Sequence, residues 1–177
     1  MNRWAIVCPG PSLKDTYRGG RFDGVVAVNR ACVFAECSHL SMLDIKTWKW
    51  IQEDGGPKSK DITLLSSKGC YEHVRDKCRF KGKWFDKTVA LHSVPGEFQK
   101  RFSFSIGAAF AFARMQSPNR IDVYGMDMIG EQDWDGGYRG SCGRELKRWE
   151  KERSKIAWVF RILENEGIKI VRHTADG

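Results

Sequence analysis

The 177-residue chain has no long hydrophobic run. None of its apolar stretches approaches the roughly 20 residues that a membrane-spanning helix needs. The opening MNRWAIVCPGPSL holds only a short apolar segment that runs straight into Pro and Gly, which is not the pattern of a secretory signal and suggests a cytoplasmic protein. Histidine is scarce, with 4 residues, so few imidazoles are on offer for acid–base work. Neither a GxxxxGK[ST] nor a GxGxxG run occurs, so neither a P-loop nor a standard dinucleotide fingerprint is supported. Cys32, Cys37 and His39 lie close together, as do Cys70, His73 and Cys78, but they do not make the two tightly spaced pairs of a structural zinc site. The 6 cysteines read instead as reduced thiols that behave mostly as small buried hydrophobes. No internal repeat, linker or low-complexity tract interrupts the chain.

Hydrophobic residues make up 41% and aromatic residues 12%, which excludes a disordered chain. The length fits one domain, here read as residues 1–177, large enough to bury about 70% of the unfolded surface. The net charge of +8 is uneven. Residues 103–143 carry three basic against five acidic residues, a local net charge of −2, while the densest basic stretch runs from Arg75 to Lys87 around Trp84 and Phe85. Interleaved cations and aromatics suit a polyanion that also stacks, such as single-stranded nucleic acid. The same stretch also fits a solvated loop around a buried Trp-Phe pair.

Short apolar runs alternate with helical patterns. Arg3–Cys8, Gly24–Asn29, His39–Leu43, Ile62–Ser66, Thr88–Leu91, Ile121–Tyr124 and Ile168–Val171 read as strands. Thr47–Gln52, Ser105–Met115 and Arg144–Glu166 read as helices, the last capped by Gly167. This alternation predicts an α/β, Rossmann-like, doubly wound fold with a mainly parallel sheet and helices on both faces. Ligands of such sheets bind outside the carboxyl ends of the strands. That rule selects Pro9–Leu13, Asn29–Arg30, His92–Gly96 and Gly125–Asp127.

The most informative segment is Cys8-Pro9-Gly10-Pro11-Ser12-Leu13. A strand entering Gly-Pro-Ser and then a helix can aim backbone N–H groups and a hydroxyl at a phosphate. A plain strand-to-helix turn would use the same residues.

AIVCPGPSL resembles the GxGPSL start of bacterial family-42 sialyltransferases and of a related family that includes archaeal 6-hydroxymethylpterin diphosphokinase. VVAVNRACVF looks like their second strand, closed by an Asn, and FSIGAAFAFARMQSPNRIDVYGMDM looks like their buried helix and following strand ending in Gly-x-Asp. The three blocks span roughly residues 5–128 in order. The resemblance implies a nucleotide site formed by Gly10, Pro11, Ser12, Asn29, Ser105 and Gly107, with Gly125 and Asp127 matching the Gly-x-Asp. The chain departs from the family in having no matching Tyr after Asp127 and no His between His92 and His173. Small proteins of this type occur in bacteriophages, and the resemblance allows that origin.

The function implied is that of a glycosyltransferase-like transferase, with a nucleotide sugar as donor substrate and an anionic acceptor, either DNA or a polysaccharide. A diphosphokinase-like transferase and a non-enzymatic nucleic-acid-binding module are the alternatives. Asp127, Asp135 and His92 are the candidate catalytic residues, Asp127 and Asp135 as the carboxylates nearest the expected site. Residues 128–143 form a short lid or insertion, whose Asp133 and Asp135 with Asp127 offer the oxygen ligands that Mg²⁺ prefers. The sialyltransferases do not depend on a metal, so no metal ligand is assigned. Arg139 and Arg144 flank the lid as candidate phosphate partners.

Overall fold

The computed structural model describes residues 2–67, 70, 72, 85–90, 104–128 and 146–175. Seven parallel strands form one sheet: β1 (Arg3–Val7), β2 (Gly24–Val28), β3 (His39–Ser41), β4 (Ile62–Ser66), β5 (Phe85–Ala90), β6 (Arg120–Tyr124) and β7 (Lys169–His173). Their spatial order is β5-β4-β3-β2-β1-β6-β7, and every neighbouring pair is parallel. The chain winds outward from β1 to β5, then crosses back to lay β6 on the other side of β1. The crevice between the carboxyl ends of β1 and β6 is therefore the topological switch point, where sheets of this kind bind ligands.

Alternation along the strands builds two cores. Trp4, Ile6, Val26, Val28, Ile121 and Val123 point to one face, where they meet α4 (Ser105–Met115) and α5 (Leu146–Asn165). Ala5, Val7, Ala27, Leu40, Ile62 and Leu64 point to the other, where they meet α1 (Leu13–Thr16), α2 (Ala31–Phe34) and α3 (Ile45–Glu53). The inner strands are apolar on both faces because both are covered.

α4 owes its depth to small side chains. Gly107, Ala108, Ala109, Ala111 and Ala113 are buried, so its backbone lies close to the sheet, and Phe110 fills the gap to α5 edge-on against Phe160 at 5.2 Å. α5 ends where Gly167 adopts φ 81, as its position after the last apolar repeat foretold. α3 starts at Asp44, whose side chain accepts from the Lys46 N–H at 2.8 Å.

β5 begins at Phe85, three residues before the Thr88 start read from its apolar run. Phe85–Lys87, the end of the basic stretch, thus belong to an edge strand and not to a loop. The rest of that stretch lies outside the described residues. Among the described residues, Cys8, Cys32, Cys37 and Cys70 are buried and not disulfide-bonded, in keeping with thiols used as core hydrophobes. No helix among the described residues is long and apolar enough to cross a membrane.

Candidate functional site

The segment after β1 is fastened to the segment after β6. The Cys8 N–H donates to the Tyr124 carbonyl at 2.9 Å, and the Gly10 N–H donates to the Gly125 carbonyl at 2.9 Å. The Ser12 N–H then donates to Oδ2 of Asp127 at 2.9 Å. Two glycines make this approach possible. A Cβ on Gly10 would stand 2.4 Å from both Asp127 Oδ2 and the Gly125 carbonyl oxygen. Gly125 itself has φ 61, and a Cβ there would stand 2.2 Å from the Cys8 carbonyl oxygen.

This fastening changes the expected role of the Gly-Pro-Ser loop. Pro9 and Pro11 have no N–H to offer. The N–H groups of Cys8, Gly10 and Ser12 are spent as above, and that of Leu13 donates to the Gly10 carbonyl at 3.0 Å. From Cys8 to Leu13, no backbone N–H remains to cradle a phosphate. The loop is a rigid frame, and the donor it keeps for a ligand is the Ser12 hydroxyl.

That hydroxyl is buried and has no hydrogen-bond partner, on a residue that is 7% exposed as a whole. Asn29 presents the same situation on the neighbouring strand. Val7 pairs with Ala27, so Asn29 closes β2 beside the start of the loop. Its backbone is left-handed, with φ 52, a conformation Asn tolerates better than most residues. Its N–H donates to the Ser41 carbonyl at 2.9 Å, while its side-chain Oδ1 is buried without a partner. Leaving such an atom unpaired costs about 1–3 kcal/mol, so two of them at one edge mark a place prepared for something polar.

The next strand contributes the start of α4. The Ser41 hydroxyl donates to the Ser105 carbonyl at 2.7 Å, and the Leu43 N–H donates to Oγ of Ser105 at 3.2 Å. Ser105 is thereby held at the carboxyl edge with its own hydroxyl proton uncommitted. Gly107 lies further along α4 and is buried. The ends of β1, β2, β3 and β6 thus bring Gly10, Pro11, Ser12, Asn29, Ser105 and Asp127 to one edge.

Arg30 follows Asn29 and is buried, with Nε 2.8 Å from Oδ2 of Asp54. This pair ties the start of α2 to the end of α3, behind Asn29. Cys8, though next to the loop, is no nucleophile. Burial, and secondarily the Asp127 carboxylate, push its thiol well above the ordinary range. Asp127, expected as a catalytic carboxylate, has one oxygen engaged by the Ser12 N–H. His92, Asp133, Asp135, Arg139 and Arg144, with residues 129–145 as a whole, lie outside the described residues.

A second polar cluster was not anticipated. Asp122, in mid-β6, is fully buried and accepts from Arg3 Nε at 2.8 Å, from Arg120 Nε at 2.8 Å and from His173 Nε2 at 2.8 Å. His173 also stacks on Tyr124 at 4.2 Å. Burial alone would raise the Asp122 carboxyl, but the hydrogen bonds from Arg3, Arg120 and His173 outweigh it and hold the group well below the usual carboxylate range. The strand register explains the cluster: Arg3 pairs with Arg120, and Tyr124 with His173, on the side-chain face that Asp122 shares. His173 is thereby turned back toward mid-strand, away from the loop edge. The signal in the sequence was the period-2 spacing of Arg120, Asp122 and Tyr124, which an apolar-run reading of IDVY passes over.

No protein-family model matches the chain, and no curated protein is found to match it. Solved structures do. The sialyltransferase CstII from Campylobacter jejuni, in complex with the substrate analogue CMP-3FNeuAc, superposes with a TM-score of 0.61 at 14% identity, over 98% of this chain and 82% of that one. The sialyltransferase CST-II in complex with a trisaccharide acceptor and CMP gives a TM-score of 0.60 at 14% identity, over 98% and 81%. CstII in complex with cytidine-5'-monophosphate gives 0.58 at 14% identity, over 98% and 80%. The chain has the sialyltransferase-like fold. At this identity the likeness concerns the fold alone.

Proposed function

We propose that this chain is a glycosyltransferase-like enzyme that binds a nucleotide-activated sugar across the carboxyl ends of β1, β2 and β3. The observation that carries this reading is the pair of buried, unpartnered atoms, Ser12 Oγ and Asn29 Oδ1. A bare anion would satisfy only donors. Asn29 Oδ1 is an acceptor and calls for a ligand with its own N–H or O–H groups. A nucleotide has both: phosphate oxygens for the Ser12 and Ser105 hydroxyls, and ribose hydroxyls or a base amino group for Asn29. The fold shared with proteins solved in complex with CMP and CMP-3FNeuAc supports a cytidine nucleotide as the first ligand to try.

In the transfer, the acceptor hydroxyl attacks the anomeric carbon of the donor. The bond from that carbon to the phosphate oxygen breaks, the nucleoside phosphate leaves, and the acceptor proton passes to a base. His92 and Asp135 are the groups proposed for that proton. The acceptor proposed is a glycan, because one neighbouring structure holds a trisaccharide acceptor.

Calorimetric titration with CMP and with a CMP-sugar tests the reading, followed by measurement of CMP release with and without an oligosaccharide acceptor. Binding that falls tenfold or more in Ser12→Ala and Asn29→Gly is expected. Failure of the wild-type chain to bind any pyrimidine or purine nucleotide or nucleotide sugar would overturn it.

A further inference from the structure

We infer that Asp127 is a positioning residue, a carboxylate lock that fixes the Gly10–Ser12 loop and so aims the Ser12 hydroxyl, and not the base of the reaction. The lock itself rests on the geometry of the loop. Its consequence for the ligand rests on the reading proposed above.

Three observations converge on it. Oδ2 of Asp127 accepts the Ser12 N–H at 2.9 Å, across 115 residues of sequence. The carboxylate is seated directly on the loop backbone, because a Cβ on Gly10 would lie 2.4 Å from Oδ2 and 3.2 Å from Cγ. The turn that presents it is bent for the purpose: Gly125 at φ 61 and Met128 at φ 52 flank Asp127, and both are left-handed. A non-glycine residue such as Met128 holds that conformation only when its surroundings impose it.

The physical consequence concerns which groups are left for a ligand. A carboxylate that accepts a backbone N–H makes a strong, charge-assisted bond and removes that donor from any phosphate. With Pro9 and Pro11 stiffening the same segment, the loop has little freedom once Asp127 is in place. Ser12 is then held at the start of α1 with φ −71, its hydroxyl buried and unspent. A base, by contrast, needs an oxygen directed at the acceptor hydroxyl and a proton-accepting form. An Asn at this position supplies neither, but it supplies the amide oxygen that a lock needs.

Asp127→Asn and Asp127→Ala separate the two roles, with backbone amide hydrogen exchange and CMP titration as readouts. In the protein without nucleotide, Asp127→Ala is expected to speed exchange of the Ser12 amide about tenfold or more, with β2–β4 unchanged, while Asp127→Asn stays within about threefold of wild type. For CMP, Asp127→Asn is expected to bind within about threefold of wild type and Asp127→Ala about tenfold more weakly. The losses from Asp127→Ala and Ser12→Ala should not add in the double variant, because both remove the same hydroxyl contact. If Asp127→Ala leaves exchange at Ser12 unchanged, there is no lock. If both variants bind CMP like wild type but neither releases it from a CMP-sugar, Asp127 is the base and the inference is wrong. Absence of CMP binding by the wild type defeats the functional reading alone, since the exchange result still decides the lock. Should Asp127→Ala fail to fold, the exchange and CMP-release measurements on Asp127→Asn still separate a lock from a base.

Discussion

The carboxylate of Asp127 and the backbone nitrogen of Ser12 meet at 2.9 Å, one at the end of β6 and the other just past β1. That contact closes a ladder begun by Cys8 on Tyr124 and Gly10 on Gly125, so the two inner strands continue as a paired frame beyond the sheet. The frame turns an ordinary strand-to-helix turn into a fixed wall beside the carboxyl ends of β2 and β3. It also moves the burden of ligand recognition from the backbone to side chains.

Gly10→Ala should break this frame. Its new methyl would have to displace Asp127 or the Gly125 carbonyl, both within 2.4 Å of the Cβ position. Overpacking of this kind costs about 1–3 kcal/mol. Chemical denaturation is expected to report that loss, and CMP titration a loss of binding larger than that of Ser12→Ala alone.

Asn29→Gly should have the opposite profile. The side-chain Oδ1 has no partner in the protein and glycine accepts the left-handed φ, so stability should hardly change. Nucleotide affinity should fall by about 1.5–3 kcal/mol, tenfold or more, because the ribose hydroxyl or base amino group is left without its acceptor. Equal affinity in the variant and wild type would remove Asn29 from the site.

Asp54→Ala tests the support behind Asn29. It takes from the buried Arg30 guanidinium a partner at 2.8 Å. Losing a charged hydrogen bond of this kind costs about 1.5–3 kcal/mol. A thermal melt is expected to show the loss, and Asp54→Asn to recover part of it.

Asp122 gives the chain an acid-sensitive element separate from the crevice. Its carboxyl is depressed in the folded protein by Arg3, Arg120 and His173. A depressed carboxyl adds stability that is fully present above its unfolded value, about 3.9, and that is lost as pH falls through the folded value. Asp122→Asn should therefore destabilise the protein by about 1.5–3 kcal/mol near neutral pH, because the arginines left behind are about a third exposed and can turn to water. The gap between variant and wild type should narrow below about pH 4. A gap that stays constant down to about pH 2.5, well below the ordinary carboxylate range, would show that the charge of Asp122 is not what stabilises the cluster.

Much of this architecture is legible in the amino-acid sequence. The apolar runs at Arg3–Cys8, Gly24–Asn29 and Ile62–Ser66 read as strands and contain β1, β2 and β4, and the small residues of Ser105–Met115 call for a helix pressed on a sheet. The Gly-Pro-Ser segment stands out because its residues restrict the backbone so strongly. What it does with that restriction is not legible: Gly10 could equally have opened its surroundings to a ligand or packed against a carboxylate. Only the pairing of β1 with β6, fixed by a crossover through most of the chain, brings Asp127 to Ser12. The Asp122 cluster is hidden for the same reason, since Arg3, Arg120, Asp122 and His173 become neighbours through strand order alone.

The central claim is that Ser12 and Asn29 are unpartnered because a nucleotide partners them. A crystal structure of the protein soaked with CMP tests it most directly. The account predicts the phosphate within hydrogen-bond distance of Ser12 Oγ, and the ribose or base donating to Asn29 Oδ1, with the Asp127–Ser12 contact intact. CMP bound elsewhere on the sheet, with both side chains still unpaired, would contradict it.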